Sequence, residues 1–326
     1  MRIEVFDVGH GGCALITAPN ERRMMLDCGE RWGDKRFWTP ALHYCGQRID
    51  LLALMNLDED HLRNFGWLTQ YCTVPWILTN PTVGLRELRI LKKDGMGPGA
   101  KAFAKWLAAP KHGSGGTQPD FGPIRIRYYY CVFDPAANNK TNDLSLVVIV
   151  QYGSFKIVFA GDLEVAGWRR LLALPSFLLD LMGTNILVAS HHGRENGCCA
   201  EIFKLFKPEI VLISDDERQY ESQDTDDWYR NRCIGARLIA NPAERRYVMT
   251  TRKDGSMRIN VLPDGQWFLW PVQVPDFPLD PPPTAKPRQN PFSGLASVLQ
   301  SSPPLGLDAL NPFANALALD NRFRRA

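Results

Sequence analysis

Along the first 270 residues, short apolar runs alternate with glycine, proline and asparagine breaks, and longer stretches of helical period lie between some of them. Ile3, Val5, Phe6 and Val8 predict a strand over 2–8. Gly9-His10-Gly11-Gly12 predicts a tight turn, because glycine reaches positive φ at low cost. Strands are expected next at 13–17 and 24–26, and a helix at 37–46. The apolar run over 49–55 reads as a buried strand that stops abruptly in Asn56, Asp58, Asp60 and His61, with a helix expected over 61–72. Further strands are expected at 75–79, 124–130, 144–150, 155–160, 185–189 and 210–213. Helices are expected at 98–109, about 164–174 and 200–207. Residues 245–270 predict three short antiparallel strands, with turns at Lys253-Asp254-Gly255 and Pro263-Asp264-Gly265.

Strands interleaved with helices, opened and closed by antiparallel strands, predict two central sheets with helices outside, an αββα sandwich. The pattern lapses after residue 270. Prolines crowd at 271, 275, 278, 281, 282, 283 and 287, so 1–270 is expected to be the folded domain. Residues 271–326 are expected to be a proline-rich tail, disordered or bound to a protein partner.

Composition changes this picture little. The chain has 45% hydrophobic and 22% charged residues and a net charge of +3. That is ordinary for a globular protein and neither demands nor excludes a nucleic-acid partner. Eight cysteines include no C-x-x-C pair, which points to reduced thiols and a cytoplasmic setting. The N-terminus carries charges within its first strand and does not read as a signal peptide, and no apolar run approaches the roughly 20 residues that span a bilayer.

The candidate chemistry lies at strand ends. Asp27, the Asn56–His61 stretch, Asp162 and His191-His192 each close a predicted strand, and Asn142-Asp143 opens one. Acids and imidazoles drawn to one edge of layered sheets can hold divalent cations, which acidify water and clamp the oxygens of a phosphodiester. Each feature also has a plainer reading. Asp58 or Asp60 could cap the helix that follows. Asp27 could make a turn, and His10 reads as a turn residue. Paired basic residues such as Lys92-Lys93 read mostly as solvated faces.

Order and spacing together resemble the metallo-β-lactamase superfamily, and within it the soluble ComEC-type competence domain. Asp7-Val8-Gly9-His10-Gly11-Gly12-Cys13-Ala14-Leu15-Ile16 resembles the opening "DVGQGDAxLI" hairpin. Leu26-Asp27-Cys28-Gly29 resembles "LxDxG", and Asn56-Leu57-Asp58-Glu59-Asp60-His61 stands where that group has H-x-D-x-D-H. Asn142–Val147, Ala160-Gly161-Asp162-Leu163-Glu164 and Ser190-His191-His192-Gly193 resemble "NxxSLVL", "TGDxE" and "HHGS". The resemblance implies the αββα metallo-β-lactamase fold and a metal-dependent phosphodiester hydrolase, a nuclease acting on DNA. It implies two divalent ions (Mn2+, Zn2+ or Mg2+).

Carried over by residue, Asp58, Asp60, His61, Asp162 and His191 fall on metal ligands. His192 is left for substrate phosphate or proton donation, and Asp27 for orienting a ligand. Asn56 replaces the first histidine, Gly12 replaces the acid of the opening hairpin, and Asp215–Tyr220 replaces a downstream histidine segment. One ion site is therefore expected to be weaker, with oxygen from Asn56, Asn142 or Asp143 as its remaining support. The same departures support a second expectation: a degenerate binding or regulatory subunit that docks a partner through the tail.

Overall fold

The computed structural model describes residues 1–32, 37–109, 118–137, 139–217, 221–238 and 241–273. The loop around His112 and the tail beyond residue 273 lie outside the described residues. Two sheets form the centre. One runs in the order Trp267–Val272, Ser256–Val261, Arg2–Val5, Ala14–Thr17, Arg23–Leu26, Leu51–Ala53, Ile77–Leu78. The other runs Val248–Thr250, Ile210–Ile213, Ile186–Val188, Phe155–Phe159, Val147–Tyr152, Arg125–Tyr129.

Strand periodicity explains the layers. Ile3, Val5, Ile16, Met24, Leu26, Leu51 and Ala53 of the first sheet join Val148, Val150, Ile157, Phe159, Ile210 and Leu212 of the second in one buried cluster, the core between the sheets. Their alternates Leu15, Met25, Leu52, Val147, Val158, Leu187 and Val211 face outward onto a second cluster. Phe65, Leu68, Phe103, Trp168 and Phe177 of the helices complete it. Strands covered on both faces read as continuous apolar runs, not as alternation. The architecture is the expected αββα sandwich.

Four local departures have physical reasons. The expected helix over 61–72 is two helices, Glu59–Leu62 and Phe65–Tyr71. The break comes at Asn64, whose buried side chain bonds away from its own helix: Oδ1 accepts from Ala41 N at 3.0 Å and Nδ2 donates to Glu30 Oε2 at 2.6 Å. The helix expected over 37–46 shrinks to Pro40–His43, after the strand pair Arg31–Trp32 and Phe37–Trp38. Val248–Thr250 does not join the closing antiparallel strands but runs parallel to Ile210–Ile213 in the other sheet. The last strand continues through Pro271 to Val272, where its partner is Ser256. A proline there is tolerated because Trp267–Val272 is an edge strand.

The helix Pro98–Ala108 packs against the short helix Glu59–Leu62, which carries Asp60 and His61. Glu59 caps it from a neighbouring helix, accepting from Gly99 N at 2.7 Å and Ala100 N at 3.2 Å. A Cβ on Gly99 would lie 2.2 Å from the Leu62 carbonyl oxygen, one residue after His61. Gly99→Ala is therefore expected to push two backbones apart and cost about 1–3 kcal/mol in urea denaturation. A variant as stable as the parent would show that the contact yields without strain.

Candidate metal centre

Four strand ends converge at one edge of the sandwich. Asp27 follows Arg23–Leu26, Asp60 and His61 follow Leu51–Ala53, Asp162 follows Phe155–Phe159, and His192 follows Ile186–Val188. One ligand atom from each of Asp60, His61, Asp162 and His192 lies within 4.8 Å of the others. His61 Nε2 is 3.0 Å from Asp162 Oδ1 and 3.8 Å from Asp60 Oδ2. His192 Nε2 is 3.2 Å from Asp60 Oδ2 and 3.4 Å from Asp162 Oδ1.

Both imidazoles are held from behind. His61 Nδ1 sits 2.7 Å from Asp27 Oδ2, while Asp27 Oδ1 accepts from Met55 N at 2.6 Å. His192 Nδ1 donates to the Ser214 carbonyl at 2.7 Å. Each Nδ1 being engaged, each Nε2 faces the cluster, the arrangement by which a neighbouring acceptor fixes the tautomer of a ligating histidine. There is no room for more: a Cβ on Gly12 would come within 2.9 Å of His61 Nδ1 and 3.0 Å of Asp27 Oδ2. The acid of the resembled hairpin could not be housed beside this pair.

Charge follows from burial and proximity. Burial opposes a proton on His192, but Asp162 and Asp60 outweigh it and push the imidazole up to about 10. His61 is raised in the same way, against burial, by Asp162, Asp27 and Asp60. Burial alone would raise Asp60, yet His61 and His192 hold it down to about 2. Asp162, equally opposed by burial, is pulled well below the usual carboxylate range by the same imidazoles. Burial pushes Asp27 up, with His61 partly offsetting it.

His61 Nε2, His192 Nε2 and Asp162 Oδ1 are nevertheless buried without a well-formed hydrogen bond. Buried polar atoms are rarely left so. Three such atoms turned toward one another fit a cation better than they fit each other.

Backbone strain concentrates here. Asp27, His191 and His192 all take left-handed conformations, with φ of 58°, 50° and 54°, which costs of order 1–3 kcal/mol at each non-glycine position. The consecutive left-handed residues turn the two adjacent histidines apart. His192 enters the cluster. His191 points to Asn142 Nδ2, 3.5 Å from its Nε2, and to Glu164, 4.0 Å from its Nδ1. His191 was the ring expected at the metal, but it is His192 that faces Asp60 and Asp162.

Asp58 also lies outside the cluster. It is ion-paired with Lys92 and accepts from the Thr141 hydroxyl at 2.9 and 3.1 Å. Asn56 and Asn142 bond to each other, Nδ2 to Oδ1 at 3.0 Å. Asp143 accepts from Gly167 N at 3.2 Å, at the start of the helix Val165–Leu172.

Two residues that carried no expected role at the centre lie beside it or beside Asp58. His10, read from sequence as a turn residue, places Nε2 3.6 Å from Asp60 Oδ2 and its ring 4.4 Å from that of His192. Burial, then the charge of His192, lowers its pKa to about 4. Lys92 arrives from the end of the helix Leu85–Leu91, which the sequence reading did not anticipate.

No family model and no curated protein matches this chain. Among solved structures it is similar to the metallo-β-lactamase fold protein YhfI from Bacillus subtilis, at 12% identity and a TM-score of 0.41, over 82% of this chain and 99% of that one. It is similar to a variant of CmlA β-hydroxylase at 11% identity and a TM-score of 0.41, over 71% of this chain and 50% of that one. It is also similar to Zn2+-bound PqqB from Methylobacterium extorquens, at 10% identity and a TM-score of 0.33, over 66% and 89%. Among the described residues no helix is long and apolar enough to cross a membrane.

Proposed function

We propose that this chain is a divalent-cation-dependent hydrolase of phosphodiesters, a nuclease with DNA as its first candidate substrate. The observation that carries the reading is the set of buried His61, His192 and Asp162 atoms, close together yet without a well-formed hydrogen bond, gathered with Asp60 at one sheet edge. Two imidazole nitrogens and two carboxylate oxygens suit Zn2+ or Mn2+ better than Mg2+. Bound there, such an ion would supply Lewis acidity toward water and toward a phosphoryl oxygen.

The chain's own contribution is preorganisation. Asp27 and the Ser214 carbonyl hold the two rings, so little rearrangement is needed when a ligand arrives. Lys92 neutralises Asp58, the Asn56 and Asn142 amides bond to each other, and among the described residues the cluster of Asp60, His61, Asp162 and His192 is the group gathered for a cation. The reading is therefore one cation per chain. Lys92 supplies a fixed positive charge near the place where the resemblance implies a second ion. The tail from 271 to 326 remains the proposed partner-docking segment.

The test is metal analysis of the purified full-length chain, beside cleavage of single- and double-stranded DNA and RNA with added Zn2+ or Mn2+. One bound ion per chain and ion-dependent cleavage are expected. The closed Asp58–Lys92 half of the site also favours a second reading, a binding subunit without catalysis. Trace metal only, with no cleavage of any substrate, would decide for it.

A further inference from the structure

Around the centre, cationic side chains are matched to carboxylates. Lys92 meets Asp58, Arg31 meets Asp7, Arg63 meets Glu30, and Lys140 meets Glu164. Arg194 is different. Among the described residues no carboxylate lies within ion-pair distance of its guanidinium, and its Nε is buried without a hydrogen-bond partner. Its position is fixed. It follows the left-handed turn at His191–Gly193, its N–H donates to the His191 carbonyl at 2.9 Å, and its own carbonyl accepts from Gly197 N at 2.9 Å.

Its side chain returns toward the centre. Nη2 lies 3.4 Å from His10 Nε2, and His10 Nε2 lies 3.6 Å from Asp60 Oδ2. An unmatched guanidinium is thus one imidazole away from a cation ligand. His10, whose side chain is 35% exposed, stands between the centre and solvent. A partly buried charge without a counter-ion is costly, and the forked donors of arginine match the paired oxygens of a phosphoryl group.

We propose that Arg194, with His10 beside it, forms an anion subsite adjoining the metal centre and takes a phosphoryl group of the substrate. The subsite deepens the phosphodiesterase reading and rests on it for its role, although its ligand binding can be measured alone. Arg194 supplies the charge and the paired donors. His10 bridges subsite and centre, so an anion held by Arg194 would sit beside Asp60 and His192. The ligand class is a phosphate mono- or diester; an uncharged ester or lactone would gain nothing from it.

The experiment measures binding of inorganic phosphate to the full chain by calorimetry, with and without Mn2+, for the parent, Arg194→Met, Arg194→Lys and His10→Ala. Arg194→Met is expected to weaken phosphate binding about tenfold or more, the worth of one charge-assisted hydrogen bond, with bound metal unchanged. Arg194→Lys keeps the charge but loses the fork, so it should fall between parent and Arg194→Met. It also serves as the folded control if the methionine variant is unstable. His10→Ala should weaken binding less than Arg194→Met.

Phosphate affinity that ignores Arg194, or a parent chain that binds no phosphate, overturns the subsite. Metal lost in step with phosphate in Arg194→Lys overturns it too, since Arg194 would then be supporting the centre itself. A chain that takes up no metal yet binds phosphate through Arg194 defeats the catalytic reading and leaves the subsite standing. Metal-dependent cleavage with phosphate binding indifferent to Arg194 does the reverse.

Discussion

Asp162→Asn should leave a folded chain that no longer takes up a divalent cation and no longer cleaves phosphodiesters. Asp162 is buried, with Oδ1 3.0 Å from His61 Nε2 and 3.4 Å from His192 Nε2, so it faces both imidazoles and is more deeply buried than Asp60, which also does. Asparagine keeps the shape and the backbone bond from Asp162 N to Ser145 Oγ, at 3.2 Å, while removing the charge. The loss in cation affinity should exceed the roughly 10–100-fold typical of groups that only orient a ligand. His192→Ala should behave likewise. His191→Ala should keep its metal, because its ring turns to Asn142 and Glu164. Metal analysis of the three variants separates them. Normal metal content in Asp162→Asn, or its loss in His191→Ala alone, would remove the centre described here.

The pair His191-His192 marks where sequence stops being legible. That a strand over 185–189 ends in imidazole could be read from an apolar run followed by polar residues. Which ring enters the centre could not, because the choice is made by left-handed backbone at both positions, stabilised by contacts far away in the chain. Ser214, whose carbonyl holds the His192 ring, is 22 residues on. Asp58 shows the same limit. As the third residue of an Asn-x-Asp-x-Asp-His stretch it reads as a ligand, but its partner Lys92 is 34 residues away, on a helix without a clear signal. Arg194 and His10 are 184 residues apart and share no motif.

The sheets were more legible, since strands buried on both faces leave unbroken apolar runs such as 51–55 and 210–213. Their pairing was less so. Val248–Thr250 looked continuous with the closing hairpin, yet it crosses to the other sheet and lies parallel to Ile210–Ile213. That crossing is set by long-range packing, not by local pattern.

The crossing has a consequence at the residue where the resemblance anticipates a histidine segment. Asp215 follows the strand Ile210–Ile213 and is nearly fully buried. Arg252, at the start of the short helix after Val248–Thr250, pairs with it and also grips Asp226 through Nη2 at 2.8 and 2.9 Å. Thr251 closes the same loop, its hydroxyl donating to the Asp215 carbonyl at 2.8 Å.

Arg252→Leu should therefore cost roughly 3–5 kcal/mol of stability, because it leaves a buried carboxylate without its counter-charge. Urea denaturation measures it, and a cost no larger than that of a surface change would show the pair to be solvated. The double variant Arg252→Leu, Asp215→Leu should recover much of the loss, since replacing a buried pair by apolar groups is often near neutral.

Metal affinity should then separate fold from site. Ser214, adjacent to Asp215, holds His192 Nδ1 through its carbonyl and the Gly11 carbonyl through its hydroxyl, at 2.7 and 2.8 Å. If the double variant regains stability but still binds metal weakly, the ion pair acts by placing the Ser214 carbonyl behind His192. If both recover together, Arg252 supports the fold alone.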